Sequence, residues 1–587
     1  MNSYREALRR LASSYGIRTA FRDGRGVRHS VAPDTLLAVL RALGVPIVSP
    51  EEADSLLEQR VREDWKRLLE PVYEIETEQG GEVAVRLPSS GEGRRVRCRL
   101  TSEGGERHRW VANLESLPTL AAAKVDGVSR LARALPLPCP LPPGAHRLAI
   151  ETARCRGECT VLSAPARAWS PATRKQKTWG LFVPAYALRS SGDWGAGNYS
   201  DLDALREWVT ELGGGFVGTL PLLPCFLDEL YEPSPYAPVS RLFWSEFFID
   251  IPSVPEWKSC DKARAIASSE SFRNELASLR RERRVDYRRA MVLRRRVLEQ
   301  MARHLLSATT TRAQQLRHFV KSNPRLEGYA AFRATVERRR EPWTRWPQRL
   351  KRGDLRPTDY DRRAMEYHLY VQWIALEQVQ ALAGKGRESG TGLFLDLPVG
   401  SHPHGYDTWR DQDAFAFGVS VGAPPDDFFN RGQNWGFPPL HPQGAREDGY
   451  QYLSEILRHH MSCARMLRID HVMGLHRLYW IPEGADACEG TYVHYRAREQ
   501  HALLRIESAR SRTTVVGEDL GTVPRCVRGE MARGNLQRMF VLQFALRPDA
   551  RSPIEPVPRT SIAALDTHDT ATFAAFWQGL DLDYRRR

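Results

Sequence analysis

Three short acidic motifs in the second half of the chain have the residue types of a carboxylate active site. Asp470 stands two residues after Arg468, Glu518 follows a glycine, and Asp569 follows His568. An ionised carboxylate and a protonated carboxyl are the pair that glycoside chemistry uses. Asp470 is the predicted nucleophile, because Arg468 points to the same side of a strand and favours the ionised form. Glu518 is the predicted proton donor, which requires a raised pKa.

A structural role is the more ordinary explanation of any one of these motifs, because strand-end carboxylates often cap helices or pair with arginine. The three motifs follow three different predicted strands. Acidic groups gathered together are costly unless they are paired or used, so three at strand ends favour a site over three unrelated structural roles.

A loop rich in glycine and proline, residues 420–439, is the second feature with binding chemistry. Trp435 offers an apolar ring face, and Gln433 and Asn434 offer amide donors and acceptors. This mixture suits a sugar, which has apolar C–H faces and a rim of hydroxyls. A tryptophan packed beneath a loop explains it equally well. Tyr236, in Ser-Pro-Tyr, is interpreted either as part of a turn or as a stacking platform.

Alternating strands and helices position these motifs and predict a parallel sheet. The strand candidates are residues 179–184, 216–222, 392–397, 466–470, 513–519, 539–544 and 562–566. Seven such strands approach a (β/α)8 TIM barrel, in which the carboxyl ends of the strands converge on the active site. An eighth strand is not visible in the sequence.

The chain divides into two predicted regions. Residues 1–165 form an N-terminal extension of short helices followed by a β-rich domain, because the pattern changes to period two after about residue 73. Residues 178–587 form the α/β barrel, which carries an Arg-rich helical insertion at about residues 255–385.

Composition and charge exclude several classes of protein. The formal net charge is +14, but the densest basic run, Arg280–Arg296, alternates with apolar residues and is interpreted as a solvated helix face, so no nucleic-acid partner is expected. The chain has neither a secretory signal nor a long apolar run, which predicts a cytoplasmic protein with no membrane partner. The nine cysteines and the paired histidines lack metal-ligand spacing, so no metal is predicted.

Several longer motifs together resemble one family, from about residue 5 to the end of the chain. The chain is similar to the 4-α-glucanotransferases of the amylomaltase (disproportionating enzyme) family, in the bacterial form with an N-terminal extension. The matching stretches are Trp194–Asn198, Glu232–Arg241, Asp396–Val399, Val421–Asp426, Gly432–Pro439, Leu467–Gly474, Val516–Pro524 and Thr567–Asp569.

The resemblance implies a barrel enzyme that transfers α-1,4-glucan segments between malto-oligosaccharides by a retaining double displacement. Asp470 would form the glucosyl-enzyme, Glu518 would act as acid and then base, and Asp569 would stabilise the transition state. A retaining pair has its carboxyls about 5–5.5 Å apart. No cofactor is implied, and the oligomeric state is left open. The residues that match sugar contacts of the family are Tyr236, Asp396, Gln433, Trp435, Arg468 and His568.

The chain departs from the family at its end, since family members continue beyond the His568-Asp569 motif into an eighth strand. The resemblance therefore predicts a truncated chain whose barrel has an open seam. Two alternatives to an active transferase remain. One is a catalytically inactive, glucan-binding remnant, and the other is a metal-dependent hydrolase that uses the histidines and aspartates at the strand ends.

Overall fold

Among the described residues, seven parallel strands in sequence order form the centre of the region from residue 178 onward. The computed structural model describes residues 2–89, 95–138, 140–153, 155–171, 177–427, 429–547 and 551–582. The first five strands are hydrogen-bonded neighbours in one sheet, and the last two pair with each other. A parallel bridge between Val516 and Gln537 joins the two groups. We label the strands β1 to β7: Gly180–Phe182, Phe216–Gly218, Gly392–Leu397, Ala464–Ile469, Thr514–Gly517, Arg538–Val541 and Ser561–Ala564.

Each of the seven strands overlaps one of the seven predicted segments, although residues 542–544, predicted as strand, belong to the helix Leu542–Ala545. Every residue of β3 is buried, as is typical of a parallel strand covered on both faces. In the described part of the chain, β1 pairs only with β2 and β7 only with β6. The missing eighth strand and the open seam stay predictions.

Register brings the predicted site residues together at the carboxyl ends of the strands. Asp396 on β3 is the direct partner of Arg468 on β4, and Ile469 on β4 is the partner of Gly517 on β5. Asp470 and Glu518 each come one residue after that last pair. The parallel ladder therefore places the two carboxylates on neighbouring strands at one end of the sheet.

Helices surround these strands and fill the long connection between β2 and β3. The longest, Arg362–Ser389, is capped by the Asp361 side chain and ends at Gly390, whose φ of 80° is left-handed. The helices between β2 and β3 are Pro255–Ser259, Asp261–Ser268, Glu270–Arg281, Tyr287–Leu306, Thr311–Ser322, Pro324–Arg339, Gln348–Lys351 and Arg362–Ser389. The other helices of the catalytic region are Tyr199–Glu211, Tyr406–Arg410, Pro442–Glu447, Gln451–Met461, Ala497–Ser511, Arg525–Gly534, Leu542–Ala545 and Phe573–Trp577.

The Arg-rich run contributes to packing as well as to the surface, so the prediction of a solvated basic face is wrong for part of it. Arg294 is 1% exposed and donates to the carbonyls of Trp194 and Ala196 at 2.8 and 3.2 Å. Arg295 pairs with Glu337, Nη2 to Oε2, at 2.6 Å. Arg294 attaches the insertion to the segment after β1, because a buried guanidinium must satisfy its donors within the protein, whereas Arg295 joins two helices of the insertion.

The N-terminal region begins with three helices, Asn2–Ser14, Pro33–Ala42 and Ala53–Lys66, and a two-stranded ribbon, Ala20–Arg22 with Arg28–Ser30. Two sheets follow and enclose a separate apolar core. The five-stranded sheet has the order Val72–Glu76, Arg156–Ala164, Gly144–Glu151, Arg95–Thr101 and Arg107–Asn113. The three-stranded sheet has the order Glu82–Pro88, Val128–Pro136 and Thr119–Val125.

A small antiparallel sheet beside the barrel carries the loop with Gln433 and Trp435. Its strands, in order, are Gln433–Asn434, Val419–Ala423, Arg477–Pro482 and Thr491–His494. The first two N-terminal helices pack on this sheet in one apolar cluster that includes Leu11, Leu40, Val421 and Trp480. Among the described residues, no helix is both long and apolar enough to cross a membrane.

Candidate active site

Arg468 is the centre of the site and binds two carboxylates at once. Its Nη1 donates to Oδ1 and Oδ2 of Asp396 at 2.6 and 2.8 Å, and its Nη2 lies 2.8 Å from Oδ1 of Asp470. Arg468 and Asp396 are 6% and 2% exposed. The contact with Asp396 follows from direct pairing of the two residues across β3 and β4. The contact with Asp470 follows from the two-residue spacing, which places both side chains on the same side. Tyr236 extends the chain of contacts by donating its hydroxyl to Oδ2 of Asp396 at 2.6 Å.

Glu518 is held by backbone donors rather than by a cation. Its Oε2 accepts from the His471 N–H at 3.0 Å, and its Oε1 accepts from the Leu520 N–H at 2.6 Å. His471 has a left-handed backbone with φ of 46°, an uncommon conformation for a residue with a side chain. This turn directs the amide that follows the predicted nucleophile toward the predicted acid.

The charge balance at Asp470 depends on burial and on two neighbouring carboxylates as well as on Arg468. Burial raises the pKa of Asp470 to about 7, with the negative charges of Asp396 and Glu518 adding to the increase and Arg468 opposing it. Arg468 favours the ionised form of Asp470, as predicted, but burial and the neighbouring carboxylates outweigh it. Arg468 binds both Asp396 and Asp470, so its single positive charge can compensate only one of the two negative charges.

Glu518 has the raised pKa that a proton donor requires. Burial raises it, and Arg468 and the two backbone N–H groups act in the opposite direction. Both carboxyls therefore have raised pKa values, and the negative charge of Glu518 contributes to the increase at Asp470. Such a pair can supply one proton and one negative charge at the same time.

His568 and Tyr236 form a stacked wall beside the carboxylates. Their rings are parallel within 10°, with centroids 5.1 Å apart, and Phe182 continues the stack at 6.3 Å from His568. Burial lowers the pKa of His568, which favours its neutral form. Asp569 lies next to this wall, with Oδ2 3.3 Å from Nε2 of His568, and its side chain is 77% exposed. The structure thus gathers six predicted residues tightly and leaves Asp569 at the open side.

Gln433 and Trp435 approach the site from the small antiparallel sheet. The Trp435 indole N–H donates to Oε1 of Gln433 at 3.3 Å, and the Trp435 ring lies edge-on to the His471 ring with centroids 5.2 Å apart. Both side chains are half-buried. His471 therefore contacts the loop through its ring and Glu518 through its backbone.

Two supporting features were missed in the sequence. One is the left-handed turn at His471, which no pattern of residue types predicts for histidine. The other is Asp407, which is fully buried and accepts from Ser240, Ser401, Tyr452 and the Arg241 N–H. This hub ties the segment after Tyr236 to the segment after Asp396. Only the polar residues on both sides of the hub could have drawn attention to it.

Within the described ranges, no group of three or more His, Cys, Asp or Glu side chains has an arrangement that could hold a metal ion. The histidine pairs in the sequence have other contacts. His402 packs edge-on to Phe226, and His459 stacks on Trp244.

Comparison with known proteins gives two matching family models. The model described as 4-alpha-glucanotransferase matches residues 183–587, and the model described as the MalQ N-terminal beta sandwich domain matches residues 68–165. The 4-alpha-glucanotransferase of Haemophilus influenzae is 33% identical over 76% of this chain and 66% of its own length. That of Mycobacterium bovis is 29% identical over 99% of this chain and 82% of its own length.

Solved structures agree with these matches. The amylomaltase of Corynebacterium glutamicum superposes with a TM-score of 0.84 at 25% identity, over 99% of this chain and 82% of that one. An amylomaltase of Streptococcus agalactiae, solved in complex with acarbose, has a TM-score of 0.58 at 20% identity, over 70% of this chain and 85% of that one, and supports the fold alone. The family model covers well over half of the residues, including the strand-end carboxylates. This chain therefore belongs to the 4-alpha-glucanotransferase (amylomaltase) family.

Proposed function

We propose that the protein transfers α-1,4-glucan segments between malto-oligosaccharides by a retaining double displacement. Asp470 is the nucleophile, Glu518 is the acid and base, and Asp569 stabilises the transition state. The observation that carries the proposal is the placement of Asp470 and Glu518 one residue beyond the paired residues Ile469 and Gly517. Neighbouring strand ends suit the short carboxyl separation of a retaining pair, about 5–5.5 Å.

In the first step, an oxygen of Asp470 attacks the anomeric carbon while Glu518 protonates the departing 4-oxygen. The bond to that oxygen breaks, and a β-linked glucosyl-enzyme forms. Arg468 stabilises the negative charge on Asp470 before attack, through the 2.8 Å contact from Nη2 to Oδ1. The Asp569 carboxylate, 77% exposed in the sugar-free protein, would bind sugar hydroxyls and balance the positive charge of the oxocarbenium-like transition state.

In the second step, Glu518 removes the proton from the 4-hydroxyl of an acceptor glucan, which attacks the same carbon. Asp470 leaves as a carboxylate, so two inversions give net retention. Tyr236 and His568 form the wall against which a sugar ring can stack, and Asp396 accepts hydroxyl donors beside it. Gln433 and Trp435 approach the side of Glu518 and would cover the acceptor.

A product ladder from pure maltotriose tests the function directly. We expect glucose together with a series of longer oligomers, because each glucosyl-enzyme is resolved by another sugar chain. Asp470→Ala, run beside it, should produce none of these products. Glucose and maltose without longer oligomers would indicate hydrolysis, and a folded protein with no turnover would favour the glucan-binding alternative.

The rate should pass through a maximum with pH, because the active form holds one proton between Asp470 and Glu518. Below the maximum both carboxyls are protonated and the nucleophile is lost; above it both are ionised and the acid is lost. Because both groups have raised pKa values, the acid and alkaline limbs of the pH–rate profile should lie at higher pH than ordinary carboxyls would give.

Glu518→Gln, assayed with an α-glucosyl fluoride donor, separates the two limbs. Fluoride leaves without a proton donor, so the alkaline limb of the glycosylation step should disappear while the acid limb remains. An alkaline limb that persists in this variant would remove Glu518 from the role of acid.

A further inference from the structure

The N-terminal residues 16–27, which no matching family model covers, contact the small sheet that carries Gln433 and Trp435. We call this segment the N-terminal brace. It joins the sheet at the Thr491–His494 edge by β-type pairing: Arg18 N–H donates to the Tyr492 carbonyl at 2.8 Å, and His494 N–H donates to the Gly16 carbonyl at 3.0 Å. The Thr491 hydroxyl adds a third bond, to the Arg18 carbonyl, at 2.6 Å.

The brace then turns and contacts the tip of the 424–435 loop. Arg25 donates from Nε and Nη2 to the carbonyl of Asp426 at 3.1 and 2.9 Å, and Nη2 also bonds to the Asn430 side chain. Gly24 N–H donates to the Pro425 carbonyl at 3.0 Å. One guanidinium thus binds both Asp426 and Asn430, the described residues on either side of position 428.

The fit between brace and loop is close enough to require glycine. A Cβ added to Gly24 would lie 2.6 Å from the Cβ of Asp426 and 3.1 Å from its Cα, which is a clash. Asp23, 5% exposed, shapes the turn by accepting from the N–H groups of Arg25 and Val27 at 2.9 Å each. The turn is therefore built by its own residues to present Gly24 and Arg25 to the loop.

The loop in turn leads to the acid/base. Its last residue, Trp435, contacts the His471 ring, and the His471 backbone N–H binds Glu518. In the proposed mechanism Glu518 serves the departing and the accepting 4-oxygen. The loop consequently lies on the acceptor side, where water competes with the acceptor sugar for the glucosyl-enzyme.

We propose that the N-terminal brace holds the 424–435 loop over the acceptor side, and that Arg25 is a positioning residue that sets the ratio of transfer to hydrolysis. This inference rests on the proposed function. Arg25 is remote from the reacting atoms, so its loss leaves the attack by Asp470 intact and acts on the second step. A loop released from Arg25 covers the acceptor less completely and admits water.

The test compares Arg25→Ala with Arg28→Ala, which removes an exposed arginine that makes none of these loop contacts. With maltotriose, the hydrolysed fraction should rise about three- to tenfold in Arg25→Ala, as expected when a charge-assisted contact that holds the loop is lost. Total donor consumption should stay within about twofold. Arg25→Lys, which keeps the charge but not the forked geometry, should recover part of the transfer.

Hydrogen–deuterium exchange supplies a readout that does not depend on activity. Amides of residues 429–435 should exchange faster in Arg25→Ala than in the wild-type protein or in Arg28→Ala. The same hydrolysed fraction and the same amide exchange in Arg25→Ala and Arg28→Ala would overturn the inference. If the wild-type protein shows no sugar turnover, the proposed function is contradicted. Faster exchange of residues 429–435 in Arg25→Ala would then still support the role of Arg25 in holding the loop.

Discussion

Replacing Asp470 with Asn should reduce glucan transfer by on the order of 10⁴-fold or more, because the covalent intermediate can no longer form. Asn fits the same space, and its carbonyl oxygen can still accept from Arg468, whose Nη2 is 2.8 Å from Oδ1 of Asp470. The loss should therefore appear in kcat, with binding of maltotriose nearly unchanged. The measurement is the maltotriose reaction, with Asp261→Asn, an 89% exposed carboxylate, as the matched control.

The same variant should be more stable than the wild-type protein at alkaline pH. The pKa of Asp470 in the folded protein, about 7, lies above the value of about 3.9 in an unfolded chain. Folding therefore favours the neutral form, and the stability that this contributes is present below about pH 4 and lost as pH rises through about 7. Asp470→Asn should raise Tm at pH 8 by about 2–4 °C and leave it unchanged at pH 4. A variant that unfolds at pH 8 would make its inactivity uninformative and would contradict this charge balance.

Replacing Arg468 with Leu should have the second large effect, on stability and rate together. It leaves Asp396 and Asp470 without their shared cation, and breaking a buried ion pair costs about 3–5 kcal/mol. Transfer should fall on the order of 10²–10³-fold, because the nucleophile is then protonated over more of the pH range and its charge is not stabilised. The measurements are kcat/KM for maltotriose and Tm as functions of pH.

The pH dependence distinguishes this explanation from general damage to the fold. Carboxylates without a cation have raised pKa values, so Arg468→Leu should lose most stability at pH 8 and recover much of it at pH 5, where they protonate. Arg468→Lys keeps one charge but cannot bind Asp396 and Asp470 in the same geometry, so it should recover more stability than activity. A loss of Tm that is the same at both pH values would contradict the role of Arg468 as the shared cation.

Much of the site could be predicted from the sequence because it depends on strand register. Asp396 and Arg468 lie near the ends of β3 and β4, Asp470 and Glu518 directly follow β4 and β5, and the parallel ladder places the four side by side. The assignment of residue roles remains a proposal. The sequence pairs Arg468 with Asp470 but does not show that Asp396, 72 residues earlier, shares the same guanidinium, or that burial raises the pKa of Asp470.

The contacts of the N-terminal residues could not be predicted. The sequence shows short helices there, but Arg25 reaches Asp426 across 401 residues, and no pattern near Arg25 indicates that contact. His471 is similar, since its left-handed backbone accompanies a bond from its N–H to Glu518 and an edge-on ring contact with Trp435, two partners that are distant in sequence. Both features arise from tertiary contacts that local patterns do not encode.

The covalent glucosyl-enzyme is the most direct test of the central claim, that Asp470 is the nucleophile of a retaining transfer. An α-glucosyl fluoride forms the intermediate on Glu518→Gln without needing the acid, and the missing base slows its removal. Trypsin then releases residues 469–477, which follow Arg468 and end at Arg477. We predict that mass spectrometry places one added hexose on this peptide, at Asp470, and none in Asp470→Ala. A hexose on another peptide, or product released with inverted configuration and no adduct, would contradict the account.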